Sequence, residues 1–146
     1  MIHYVKLNDV NPQRDYTATH GLMDLFMQLG EYDRWLLSER VEMSDQQLEA
    51  AVSAAYTGVS KLVLAKDCSK VLGFIATDKK DPSCISAMFV LDEYRGKGIG
   101  AQLVRRMKQM IPGKARVSAV ITNERAVRFY QKQGFVPLTV SLVEVG

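Results

Sequence analysis

Apolar and polar positions change period several times along the chain, and each change marks an element. Residues 2–7 alternate weakly and predict a strand. Leu22, Leu25, Phe26 and Leu29 recur at helical spacing, which predicts a helix over 17–29 that ends at Gly30. Ser44 followed three residues later by Gln47 is a capping-box pattern, opening a helix through Leu48, Val52 and Ala55 to about Tyr56. The apolar runs 61–67 and 71–77 predict strands joined as a hairpin through Cys68, Ser69 and Lys70, and 83–91 adds a third strand. Ile99, Leu103, Met107 and Met110 then share one helix face. A strand near 115–121, a helix from about 123 and a strand over 135–146, bent at Pro137, complete the chain. Strand, two helices, three strands, helix, strand, helix, strand is an α/β (α+β) order. It predicts a mixed sheet with helices on both faces.

Composition narrows the class. A chain of 146 residues predicts a single domain, 1–146, that buries about two-thirds of its unfolded surface. Hydrophobic content of 47% and charged content of 24% are those of a globular protein. No apolar run approaches the ~20 residues of a membrane span, and the first residues lack the basic-then-apolar pattern of a secretory leader. Cys68 and Cys84 form neither a disulfide framework nor a metal pattern, so a reducing, cytoplasmic setting and no metal are expected. The net charge of +3 conceals a division. Residues 1–58 carry four Lys or Arg against nine Asp or Glu, whereas 59–146 carry fifteen against seven. A uniformly basic surface would point to nucleic acid. This polarity points instead to a polyanion on the C-terminal half and an amine cation near the N-terminal half, with neither nucleic acid nor membrane as partner.

The densest chemical signal is Tyr94-Arg95-Gly96-Lys97-Gly98-Ile99-Gly100-Ala101, between a strand-like run and a helix-like run. Glycines let the backbone turn sharply and leave its N–H groups unobstructed at a helix start, where the helix dipole adds positive partial charge. Arg95 and Lys97 add full charges. Capture of a pyrophosphate fits; so, for the loop alone, does a plain glycine-rich turn. A P-loop would need Lys and Ser or Thr after its last glycine, and Ile99 and Ala101 stand there instead. Gly96, Gly98 and Ala101 satisfy the letters of a dinucleotide fingerprint, yet four residues separate the loop from its strand and it lies late in the chain.

Read as Arg95-x-x-Gly98-x-Gly100, the loop resembles the acetyl-CoA pyrophosphate loop of the GNAT superfamily of N-acetyltransferases. The second signature of that family, Asn-x-x-Ala-x-x-Phe-Tyr-x-x-x-Gly-Phe, is matched by Asn123, Ala126, Phe129, Tyr130, Gly134 and Phe135. The spacing also makes physical sense. Asn123, Val127 and Tyr130 share a helix face, and Gly134 stands where a helix C-terminus needs glycine.

The resemblance implies the GNAT fold, a mixed, mostly antiparallel sheet whose splayed strands hold acetyl-CoA. It also implies direct acetyl transfer to a primary amine of a small molecule or peptide by a monomer or homodimer. Carried over by position, Phe89, Val90 and Leu91 would pair with the pantetheine arm, with the Val90 N–H facing the thioester oxygen. Arg95, Gly96, Lys97, Gly98, Ile99, Gly100 and Ala101 would hold the pyrophosphate. Asn123 would contact the cofactor arm or cap its own helix. Arg128 and Lys132 would meet the 3′-phosphate or face water. Tyr130 occupies the position of the general acid. The strand position where some relatives place a basic glutamate is not acidic here, since 85–89 reads Ile-Ser-Ala-Met-Phe. That leaves the base to water, to Glu31, Asp33 or Glu39, or to none. Tyr32, Trp35 and Tyr56, with nearby carboxylates, are candidates for an acceptor site or ordinary helix residues. Only 135–146 follows the last helix, room for one strand where the family commonly has a pair, which leaves a sheet edge bare or covered by a second subunit. Two other classes stay open: a non-catalytic acyl-CoA-binding module and a dinucleotide-binding module.

Overall fold

A computed structural model describes residues 1–11, 13–120 and 122–144. A five-stranded sheet runs in the order β1 (Ile2–Leu7), β2 (Val59–Asp67), β3 (Lys70–Asp78), β4 (Asp81–Val90) and β5 (Arg116–Val117). The first four strands are antiparallel, and β5 joins β4 in parallel after a helical crossover. The strands alternate between two cores. Leu62, Leu64, Phe74 and Phe89 face α2 (Leu22–Leu36) and α3 (Asp45–Thr57). Val63, Ala65, Ile75 and Ile85 face α4 (Ile99–Met110) and Tyr130 on α5 (Glu124–Lys132). Burial on both faces explains why β2 and β3 read as continuous apolar runs. A short helix, α1 (Tyr16–Thr19), precedes α2.

Local signals behave as expected at several places. The Ser44 hydroxyl accepts from the Gln47 N–H while the Gln47 side chain accepts from the Ser44 N–H, so the capping box forms. Cys68 takes φ +53 in the β2–β3 hairpin turn. Gly134 takes φ +96 beyond α5, with the Phe135 N–H donating to Tyr130 O at 3.0 Å.

Three expectations are corrected. Helix α2 does not stop at Gly30 but continues to Leu36. Gly30 serves packing: a Cβ there would lie 2.6 Å from Val52 Cγ2 and 3.2 Å from Leu48 Cδ1, so its absence lets α3 close onto α2. Strand β5 spans two residues rather than 115–121, and Ile121 lies outside the described residues. The stretch expected as a final strand forms none among described residues 135–144, the remaining two lying outside them. Val136, Leu138 and Leu142 are at least 80% exposed there.

Candidate active site

The site begins at an irregularity in β4. Ala87 opposes Ala76 while Ile85 opposes Thr77, so Ser86 is the extra residue of a β-bulge. Beyond the bulge, the Leu91 N–H donates to Leu72 O on β3 at 2.9 Å. Strand alternation therefore turns the N–H and C=O of Val90 the other way, toward β5. Strand β5 is no longer there. Its pairing covers Cys84 with Arg116 and Ile85 with Val117, held by the Ser118 N–H on Ile85 O at 3.1 Å and an Arg116–Asp81 ion pair. From Ser86 onward no strand among the described residues pairs with this side of β4, so its second half presents a backbone edge free of ladder bonds, with Val90 at its end.

A single 3-10 turn over Asp92–Tyr94 carries the chain from that edge to the glycine loop. Gly96 and Gly98 adopt φ +75 and +81, in the left-handed region that other residues avoid, and a Cβ on either would meet nothing within 4 Å. Gly98 is the N-cap of α4, with no side-chain cap and no acidic residue in the first turn. Helix starts leave orphan N–H groups, and here those of Ile99, Gly100 and Ala101 have no side-chain cap and follow the cationic Lys97. The donors, the space and the charge fit a pyrophosphate.

Gly100 differs from the other two glycines. It lies inside α4, where a Cβ would stand 3.2 Å from Phe129 Cζ. That contact joins the two sequence motifs: the Phe of the second packs into the gap left by the last glycine of the first. Arg95 also departs from a simple phosphate role. Its Nε donates to Val90 O at 3.0 Å, its Nη1 pairs with Asp92 at 2.8 Å, and its guanidinium lies 5.3 Å from the Phe89 ring centroid. The side chain ties the loop to the end of β4. Lys97 and Lys70 both approach the Tyr94 ring, at 5.3 Å each, so the hairpin adds a cation near the loop that motif reading passed over.

Tyr130 is 8% exposed, gripped edge-on by Phe129 at 5.3 Å and by Phe135 at 5.8 Å. Burial, with a smaller contribution from the Asp33 carboxylate, holds its phenol well above the ordinary value, so it stays protonated. Asn123 caps its own helix, its Oδ1 accepting from the Ala126 N–H at 3.1 Å. Arg128 and Lys132 are exposed on α5.

Across the sheet, α2, α3 and β4 enclose a cleft of about 250 Å³. Its wall is apolar, with Phe26, Leu29, Leu48 and Val52 among the lining residues, and Ser86 and Ala87 of the bulge form its base. Asp33 projects into this cleft, and burial pushes its carboxyl up to about 6. Of the three carboxylates offered as bases, Glu31 and Glu39 are exposed on the outside. Trp35 is 68% exposed, while Tyr56 packs edge-on against Phe26 at 5.4 Å rather than lining the cleft.

Comparisons with known proteins agree with this architecture. The family model for the acetyltransferase (GNAT) domain matches residues 59–137, from β2 through both motifs. The chain belongs to the GNAT acetyltransferase family. It is an acetyl-CoA-dependent N-acyltransferase. The fold is similar to that of an integron cassette protein from the mobile metagenome of V. cholerae (23% identity, TM-score 0.58, covering 99% of this chain and 93% of that one). It is also similar to a ribosomal-protein-alanine N-acetyltransferase from Brucella melitensis (13%, 0.63, 99% and 99%). A third similar structure is the aminoglycoside N-acetyltransferase AAC(6')-Iy in complex with CoA (13%, 0.59, 100% and 95%). Among curated proteins, no sequence matches significantly. No helix among the described residues is long and apolar enough to cross a membrane.

Proposed function

We propose that residues 1–146 act as one domain transferring acetyl directly to the primary amine of a small molecule or peptide. The observation that carries the reading is the unpaired edge of β4, ending at Val90 between the glycine loop and Tyr130. When bound, acetyl-CoA supplies an acetyl group already activated as a thioester. Phe89, Val90 and Leu91 offer the backbone of an extended strand to its amide-bearing arm. The main-chain N–H groups of residues 96–101 would hold the pyrophosphate, that of Arg95 being engaged with Asp92 O at 3.2 Å, and Asn123 keeps the start of α5 in place by capping it. The Val90 N–H, on the free side of β4, would be a fixed donor to the thioester oxygen as negative charge grows on it.

With acetyl-CoA on that edge, Tyr130 would stand near the departing sulfur. A phenol held above its usual value does not hand its proton outright to a thiolate, whose own value is about 8.5. It stabilises the sulfur by donating a hydrogen bond, with transfer completed as another proton reaches the phenol. Tyr130→Phe tests this role. Single-turnover acetylation should slow by about 10- to 100-fold with acetyl-CoA affinity unchanged, since only a hydrogen bond formed during transfer is lost. Wild-type turnover in the variant would remove Tyr130 from the chemistry.

A further inference from the structure

We infer that the cleft between α2, α3 and β4 is the acceptor site and takes a small primary monoamine on an apolar body, with Asp33 receiving the ammonium and then its proton. This rests on the acetyltransfer reading above and names the acceptor class that reading leaves open.

Four observations carry it. The cleft reaches Ser86 and Ala87, so its base is continuous with the β4 edge that ends three residues later at Val90. Asp33 and Tyr130 sit on helices that pack on opposite faces of the sheet, yet the Asp33 charge is felt at the Tyr130 phenol. The two groups therefore influence one another across the sheet, and with Ser86 and Ala87 beneath it a nitrogen held by Asp33 lies along β4 from Val90.

Charge in the cleft is the third observation. Of the lining residues only Asp33 and Arg34 are charged. The Arg34 guanidinium is already engaged, with Nη1 on Asp45 Oδ1 at 2.7 Å and on Met43 O at 3.5 Å. Among the described residues no charge compensates the Asp33 carboxylate, a match for one ammonium. A second ammonium would meet an apolar wall or the Arg34 cation, and an unpaired charge there is strongly disfavoured. The fourth is size and lining. About 250 Å³ is slightly below the roughly 300–1,000 Å³ of common ligand sites, and a wall of Leu37, Val41 and Met43 leaves sugar hydroxyls without partners. Polyamines and aminoglycosides are thereby disfavoured.

The proton balance is closed. The ammonium gives one proton to a carboxylate oxygen of Asp33, and nitrogen keeps the electron pair that forms the new C–N bond as the C–S bond breaks. The second nitrogen proton replaces the one that Tyr130 gives to sulfur. Products are the amide and the free thiol, and Asp33 returns its proton to water.

The test uses the whole protein saturated with CoA, titrated calorimetrically with 2-phenylethylamine, linear C3 to C6 alkylamines, spermidine and kanamycin, alongside acetylation rates for each. Apolar monoamines should bind and be acetylated, each added methylene improving kcat/KM about three- to fourfold until the cleft is filled. Asp33→Asn should keep its CoA affinity, lose amine binding, and fall at least 100-fold in kcat/KM for 2-phenylethylamine. Asp33→Glu should restore part of that loss, which a merely structural role would not produce. Equal or better use of spermidine or kanamycin, or Asp33→Asn turnover at the wild-type level, would overturn the inference while CoA binding still upheld acetyltransfer. Failure of CoA itself to bind would instead overturn the reading on which it rests.

Discussion

Replacing Asp33 by Asn should stabilise the protein at neutral pH, an outcome opposite to that of most substitutions at buried polar positions. The carboxyl is displaced from 3.8 to about 6 by burial, and no other group contributes comparably. If all of that displacement acted on folding, it would correspond to about 3 kcal/mol of destabilisation above pH 6. The side chain retains substantial contact with water, so screening lowers the expected gain to about 1–2 kcal/mol. For a chain of this size that is about 3–6 °C in Tm. The sign follows from linkage. A carboxyl whose folded value lies above its unfolded value binds its proton more tightly in the native state. The penalty is therefore absent below about pH 4, grows between about 4 and 6, and is complete above 6. The Tyr130 phenol, which feels the Asp33 charge, stays protonated throughout that window. Thermal melts of wild type and Asp33→Asn at pH 4, 6 and 8 should coincide at pH 4 and separate progressively. Equal stability at pH 8, or a less stable variant, would refute the claim that the carboxylate is desolvated and unpaired in the cleft. The same desolvation that costs stability would make Asp33 a proton acceptor near neutral pH, a familiar exchange of stability for function.

The remaining predictions concern the loop and its supports. Gly100→Val should lower stability by about 1–3 kcal/mol in a denaturant melt, because its side chain would be driven into Phe129, already 3.2 Å from a Cβ. Gly96→Ala, with open space around it, should lose only the roughly 1–2 kcal/mol of a left-handed residue. Arg95→Lys should weaken acetyl-CoA binding by about tenfold, nearly as much as Arg95→Ala. An ammonium cannot reproduce the Val90 and Asp92 bonds together with the stacking on Phe89. Affinity restored by Lys would show that positive charge alone matters.

Much of this architecture is legible in the chain because the informative features are local. Ser44 and Gln47 declare a helix start with two hydrogen bonds that depend on nothing distant. The left-handed glycines and the Asn123-to-Phe135 pattern likewise carry their geometry within a few residues. What escapes is decided by contacts remote in sequence. Gly30 looks like a helix stop until Val52 and Leu48 are seen against it. The run 135–144 has strand-like alternation, but a strand exists only where a neighbouring edge completes its ladder. Asp33 is one carboxylate among several in the sequence, and only its burial beside Ser86 and Ala87 sets it apart from Glu31 and Glu39. The tie from Arg95 to Val90 joins residues five apart but depends on the turn between them, which composition does not foretell.

The most direct test of the central claim is calorimetric titration of wild type and Gly98→Glu with acetyl-CoA, with NAD and ATP as controls. Wild type should bind acetyl-CoA and CoA saturably at one site and respond little to NAD or ATP, and the folded variant should bind no acetyl-CoA. A glutamate there would place bulk and negative charge at the N-cap of α4, where the pyrophosphate belongs. Undiminished acetyl-CoA affinity in folded Gly98→Glu, or equal binding of NAD by wild type, would contradict the placement of the cofactor on this loop.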